Sequence, residues 1–89
     1  MTATLRFWAA AREAAGAAEE TVRAATLGGA LDEAVRRRGG AQAGGAELER
    51  VLACSSVLVD GVRVGRAERG SAPLPEGAVV EILPPFAGG

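Results

Sequence analysis

The residues best suited to chemistry lie at the end of the chain, in Pro84-Pro85-Phe86-Ala87-Gly88-Gly89. Each proline restricts the residue before it to extended geometry, so the chain is expected to leave its last strand straight, in polyproline-like form. Phe86–Gly89 can then project about 13 Å, at roughly 3.3–3.6 Å per residue. The two glycines lack side chains and fit a channel too narrow for a Cβ. Such an arm presents its terminal carboxylate, which is ionised at neutral pH with a pKa of about 3.5 and is a poor acyl donor. Activation by ATP would make it an acyl-adenylate, and a sulfur donor could convert that into a thiocarboxylate. The product is a good nucleophile on a flexible arm, deliverable into a partner's active site. The same residues also fit a plain flexible end.

The rest of the chain offers little else to react. It contains no histidine and no lysine, and all ten basic residues are arginine. Arginine stays protonated and is a poor proton shuttle. No Ser–His or Cys–His pair can be built, so general bases are reduced to carboxylates and a catalyst acting alone is not expected. The missing lysine also removes internal amines that would compete for an activated acyl group. Cys54 is the only cysteine, which excludes an internal disulfide framework and any thiolate cluster. It could serve as a persulfide relay, but a lone cysteine at the end of a short helix is expected to be a small buried hydrophobe. Arg36-Arg37-Arg38 could hold phosphate; their place in a helix's last turn, where cations suit the dipole, is the preferred account. Gly40–Gly45 has neither a P-loop lysine nor a GxGxxG register, and no metal site is expected.

Composition narrows the partners. A formal net charge of −1 over 89 residues gives no basic field for nucleic acid or anionic lipid. No apolar run approaches the roughly 20 residues of a membrane span. The start, MTATLRFW, lacks the basic and long apolar regions of a signal peptide. The expectation is a cytoplasmic protein with no nucleic-acid or membrane partner.

The elements that must position the tail can be read in order. Thr2–Trp8 alternates as a half-buried strand, and Glu20–Ala25 forms a second that pairs with it as a hairpin, with Ala9–Ala15 and Gly16 between them. Thr26 caps a helix whose stripe is Leu27, Ala30, Leu31, Ala34 and Val35, although Gly28 and Gly29 weaken its first turn. Ala46–Ala53 makes a short helix. Val57–Val59, the Asp60-Gly61 hairpin turn and Val62–Val64 follow. Arg66–Ala72 is polar and irregular, and Ala78–Leu83 is the last strand. The fold class is therefore α+β, with one main helix on one face of a mixed sheet of four or five strands. Residues 1–83 form the domain and 84–89 the tail, with the first and last strands side by side at the sheet's centre.

If Glu81 faces solvent, so do Val79 and Leu83, while Ala78, Val80 and Ile82 face the helix. Phe7 then packs inward and Trp8 points out. Trp8, Val79 and Leu83 would form an apolar surface beside the root of the tail, either a partner surface or ordinary packing of Trp8 over a loop.

Three stretches carry a resemblance: LRFWAAAREAAG, SSVLVDG and PLPEGAVVEILPPFAGG. The aromatic-Ala-x-x-Arg-Glu opening with the PP-x-x-GG ending resembles the ubiquitin-like β-grasp sulfur carriers of the MoaD/ThiS family, most of all the small subunit of molybdopterin synthase. The resemblance covers nearly the whole chain. It implies that an E1-like adenylating enzyme, using ATP, activates Gly89, and that a sulfur donor then makes the thiocarboxylate. Pro84, Pro85, Phe86, Ala87 and Gly88 would thread into the large subunit of molybdopterin synthase, where sulfur builds the molybdopterin dithiolene. No cofactor would be bound by the carrier itself. Trp8 and Leu83 match apolar contact positions of that family, while Arg63 stands where the family can have an apolar one. No residue follows Gly89, so no proteolytic maturation is expected. Carriers for thiamine, cysteine or natural-product pathways share the tail, as do ubiquitin-like modifiers conjugated through the last glycine.

Overall fold

The computed structural model describes residues 1–40 and 44–85. Five strands and three helices follow in the order β1 (Thr2–Phe7), α1 (Ala9–Ala15), β2 (Glu19–Arg23), α2 (Leu27–Arg36), α3 (Gly45–Cys54), β3 (Ser56–Val59), β4 (Val62–Val64) and β5 (Ala78–Leu83). The strands form one sheet in the order β2-β1-β5-β3-β4. Its centre is the parallel pair β1 and β5, with Leu5 opposite Val80 and Phe7 opposite Ile82. Every other pairing is antiparallel. This is the β-grasp layout, with the first and last strands side by side at the centre as expected.

One face of the sheet is buried. Ala3, Leu5 and Phe7 of β1 and Ala78, Val80 and Ile82 of β5 alternate inward against α2, whose Leu27, Ala30, Leu31, Ala34 and Val35 are all buried. Thr26 caps this helix, its Oγ1 accepting the Gly29 amide at 3.1 Å. Gly28 has a reason beyond helix propensity: a Cβ there would lie 2.5 Å from the Gly70 carbonyl oxygen. Gly28→Ala should therefore lower stability by about 1–3 kcal/mol, an overpacking cost that outweighs alanine's better helix propensity. Denaturant melting checks this; a stabilised variant would show that the loop at Gly70 yields.

The segment between β1 and β2 is a helix, not the simple hairpin connection expected. Ala9–Ala15 is built from the strongest helix formers. It buries Ala11 and Ala15, four residues apart, and stops at Gly16 in a left-handed turn (φ 76). A stretch that is alanine apart from Arg12 and Glu13 carries little contrast between faces, so its 3.6-residue period is hard to see in a hydropathy reading.

The arginine run is structural. Arg36 and Arg37 both hydrogen-bond Glu33. Arg38 forms a two-pronged pair with Glu20 on β2, both contacts 3.0 Å, and also donates to the carbonyls of Ala15 at 2.8 Å and Ala34 at 2.6 Å. One guanidinium thus ties the end of α2 to β2 and α1. Its side chain and that of Glu20 are only 15% and 14% exposed. Removing it takes both hydrogen bonds from Glu20, which keeps only a longer contact to Arg37 (3.9 Å), and strips the donor from two carbonyls, so Arg38→Ala should cost about 3 kcal/mol, read from chemical denaturation. The Arg36 and Arg37 hydrogen bonds hold the Glu33 carboxyl below its ordinary pKa. That stabilisation is present above the unfolded value and is lost as pH falls through the lower, folded value. Glu33→Gln should accordingly flatten the acid limb of the stability–pH curve.

The irregular stretch after β4 also caps a helix. Arg66 donates to the Ala53 carbonyl, and Arg69 donates to those of Leu52 (3.0 Å) and Ser55 (2.9 Å). These carbonyls close the C-terminal end of α3, where Leu52 also accepts the amide of the C-cap Ser55 at 3.2 Å.

Candidate functional site: the tail root and the open sheet face

Among the described residues, no helix covers the other side of the sheet over β1, β5 and β3, whose outward residues are only partly buried, and that side carries the root of the tail. Inward and outward residues alternate along β5, so Val79, Glu81 and Leu83 are partly exposed while their neighbours are buried. Register then defines rows across the strands. Leu83 lies opposite Ser56 on β3. One step back, Glu19, Arg6, Glu81, Leu58 and Arg63 form a row spanning all five strands. Val79 lies a further step back, opposite Thr4, where its amide and carbonyl are both tied to Asp60 of the hairpin turn (2.9 and 2.8 Å).

Trp8 closes this face at the tail end. Its amide donates to the Ile82 carbonyl at 3.2 Å, and its carbonyl accepts from Ala11 in the first turn of α1 at 2.9 Å. The backbone is thus fixed between β5 and α1 while the side chain is left 42% exposed. The next residue, Ala9, takes a left-handed conformation with φ 48, which is rare for a residue with a Cβ and is a local strain beside the site. Trp8, Ala9, Leu83 and Pro84 line a pocket of about 260 Å³ whose walls are almost wholly apolar. The Arg6 guanidinium sits 5.3 Å from the centre of the indole ring and pairs with Glu19 at 3.4 Å. Trp8 is therefore stacked on one side and open on the other.

The structure brings together part of the expected set. Trp8, Leu83 and Pro84 meet at one pocket, and Pro85 is exposed beyond it. Val79 does not join them, because Glu81 stands between it and Leu83. Arg63 lies on the edge strand β4, exposed, two strands from β5. Phe86, Ala87, Gly88 and Gly89 lie outside the described residues. Leu58 was not singled out, although the alternation in Val57–Val59 carries the signal for it.

Cys54 departs from expectation. It is exposed, with its thiol donating to the Val51 carbonyl at 3.3 Å. The buried residue is Ser55, whose hydroxyl donates to the same carbonyl at 2.7 Å. The inward stripe of α3 runs Gly45, Leu48, Leu52 and continues into its C-cap Ser55, and Cys54 falls outside it. Among the described residues, no three His, Cys, Asp or Glu side chains converge as a metal site would need. No helix among them is long and apolar enough to cross a membrane.

Comparison with known proteins matches the ThiS family over residues 5–89. No curated protein matches the chain. Solved structures with the same fold include SAMP1 of Haloferax volcanii, a small archaeal modifier protein, with a TM-score of 0.77, 25% identity and 100% of each chain covered. A putative molybdopterin converting factor subunit 1 from Pyrococcus furiosus aligns with a TM-score of 0.74 at 20% identity, covering 97% of this chain and 99% of the other. A complex of subunits 1 and 2 of molybdopterin-converting factor from Helicobacter pylori contains a chain matched at a TM-score of 0.66 and 20% identity, with 100% of each covered.

Proposed function

The chain belongs to the ThiS family, and from that premise we propose that it is a sulfur carrier whose Gly89 carboxylate is its working group. The observation that carries this reading is the placement of the tail root. The central strand β5 ends at Leu83 and Pro84, beside an apolar pocket walled by an exposed tryptophan. A rigid sheet aims the arm, and the surface next to it is shaped to seat a partner.

The chemistry balances without a cofactor bound to the carrier. The Gly89 carboxylate attacks the α-phosphate of ATP held by an adenylating enzyme, and pyrophosphate leaves. Hydrosulfide supplied by the donor then adds to the acyl-adenylate carbonyl and expels AMP, giving the thiocarboxylate. A persulfide donor would instead give an acyl disulfide, which a second thiol cleaves to the thiocarboxylate and a disulfide. The chain has no histidine or lysine to act as a base or acyl acceptor, which suits a protein that is acted upon. The PP-x-x-GG ending and the aromatic-Ala-x-x-Arg-Glu opening favour molybdopterin synthesis as the pathway, with a large synthase subunit receiving the tail in the cytoplasm. The fold of the Helicobacter pylori two-subunit complex is compatible with that assembly. A second reading, conjugation of Gly89 to protein amines, is favoured by the likeness to the archaeal modifier and uses the same adenylate.

Intact-mass measurement after incubation with ATP, an adenylating enzyme and a sulfur donor tests the reading. The expected result is one oxygen-for-sulfur exchange, mapped to Gly89. A chain that stays unmodified with every candidate activator would overturn it, and an isopeptide adduct without sulfur would favour the modifier. Cys54→Ser should be loaded as fast as the parent, since the carboxylate takes sulfur directly; slow loading would implicate the exposed thiol.

A further inference from the structure

The two edges of the sheet, β2 and β4, differ in what they offer another chain. Along the β1–β2 pair, hydrogen bonds fall at Phe7–Ala18 and at Met1–Ala24, both 2.8 Å. Bonded and non-bonded positions alternate in an antiparallel pair, so Glu20 and Val22 bond inward to β1. The N–H and C=O groups of Glu19, Thr21 and Arg23 then point away from the sheet. Among the described residues nothing pairs with them. All three residues are exposed. The register is unbroken from Glu19 to Arg23, with neither a bulge nor a proline to blunt the edge.

β2 is complementary to its own reverse. When two copies meet antiparallel about Thr21, Glu19 falls opposite Arg23 of the other copy and Thr21 opposite its twin. These are the residues whose backbone groups are free, so each pair exchanges both of its hydrogen bonds. Their side chains share the face of Arg6 and Thr4, which lie opposite Glu19 and Thr21 on β1. Glu19 already holds Arg6 at 3.4 Å. Arg23 makes no ion pair among the described residues, and a second copy brings it a carboxylate. The row across the joint then alternates in sign: Arg23 of the other copy, Glu19, Arg6, Glu81. β4 lacks this property. The two-residue turn at Asp60-Gly61 makes Val62 and Val64 bond inward to β3, leaving Arg63 to face out. Self-pairing there would set two guanidinium groups opposite each other, which is destabilising.

We propose that β2 is a self-association edge, through which two copies join antiparallel about a two-fold axis at Thr21. The product is one continuous sheet, five strands from each copy. The axis is perpendicular to the sheet, so the helices of both copies stay on one side and the two β5 strands run in opposite directions. Each tail root lies two strands in from the joint and leaves from its own end. One short strand against another falls below the roughly 1,000 Å² of a stable interface, so the dimer forms by mass action as protein concentration rises. Self-pairing asks nothing of Gly89 and stands apart from sulfur loading.

Sedimentation equilibrium of the full chain, from micromolar to millimolar protein, is the test. The parent's mass should rise from 8.9 kDa toward twice that value. Glu19→Arg and Arg23→Glu each set like charges opposite one another at both ends of the joint. Each alone should self-associate at least about tenfold more weakly. Mixed in equal amounts, the two variants should associate as the parent does, because every cross-strand pair is again opposite in sign. The double variant Glu19→Arg/Arg23→Glu should recover association within a single chain. Melting curves check that each variant is folded, and the Arg6–Glu19 pair that Glu19→Arg removes is a surface pair of small worth. A parent that stays at 8.9 kDa throughout would overturn the proposal. Single variants that associate like the parent would place the contact on another surface. A mixture and a folded double variant that both remain monomeric would likewise defeat the pairing about Thr21.

Discussion

Removal of Gly88 and Gly89 should abolish sulfur loading while leaving the fold untouched. The truncated chain keeps every described strand and helix, and among the described residues the core of β1, β5 and α2 ends at Ile82. Its melting curve should overlay that of the parent. Its mass after incubation with ATP, adenylating enzyme and sulfur donor should show no exchange, because the acyl group is now on Ala87, two residues short of its station. The loss is expected to be complete, since a reacting atom set back by two residues, roughly 7 Å, is outside any productive geometry. A truncated chain still loaded and still active with its partner would make the tail inert and the protein a non-covalent binding module. Extending the chain by one residue after Gly89 is the complementary control, and it should block loading just as fully.

The second large effect is expected at Trp8. Its backbone is held by Ile82 and Ala11 and its ring is 42% exposed, so Trp8→Ala removes a surface without removing a core. We expect partner affinity to fall by about 2 kcal/mol or more, the size usual for a central aromatic anchor, which is roughly a thirtyfold weaker Kd. Stability should change far less. Trp8 is the sole tryptophan, so its own fluorescence reports the event: emission should move to shorter wavelength as a partner covers the ring. Unchanged emission on binding, together with unchanged affinity in Trp8→Ala, would return the residue to ordinary packing over the α1 turn.

Much of this is legible in the sequence, for reasons that differ by element. β5 could be bounded at Ala78–Leu83 because Pro75-Glu76-Gly77 opens it, Pro84 closes it and period-2 alternation runs between. Asp60-Gly61 marked its hairpin because few other pairs tolerate that turn. The placement of Glu81 outward, and with it Leu83, followed from the cost of burying a lone carboxylate. What escaped depended on tertiary context. Helix α1 was hidden by alanine, which contributes no hydrophobic contrast. The burial of Ser55 in place of Cys54 turned on where α3 ends and how it rolls against its neighbours. The clamp at Arg38 joins residues that are 18 and 23 positions apart, a distance at which charge pattern alone carries no pairing information. Val79 was grouped with Leu83 because they share a face, yet a face is two-dimensional, and Glu81 divides it.

The parallel pairing of β1 with β5 has a consequence for how the molecule is made. The first strand synthesised finds its central neighbour only in the last strand described, more than 70 positions later, so the sheet cannot be completed from local contacts. Such a topology folds slowly for its size. It also makes the ribosome a gatekeeper, because a nascent chain that stops before residue 78 has no β5 and cannot close its core. A chain cut short of β5 therefore stays open to proteases, whereas one that has closed its core has already been made as far as Ile82, at the root of the tail.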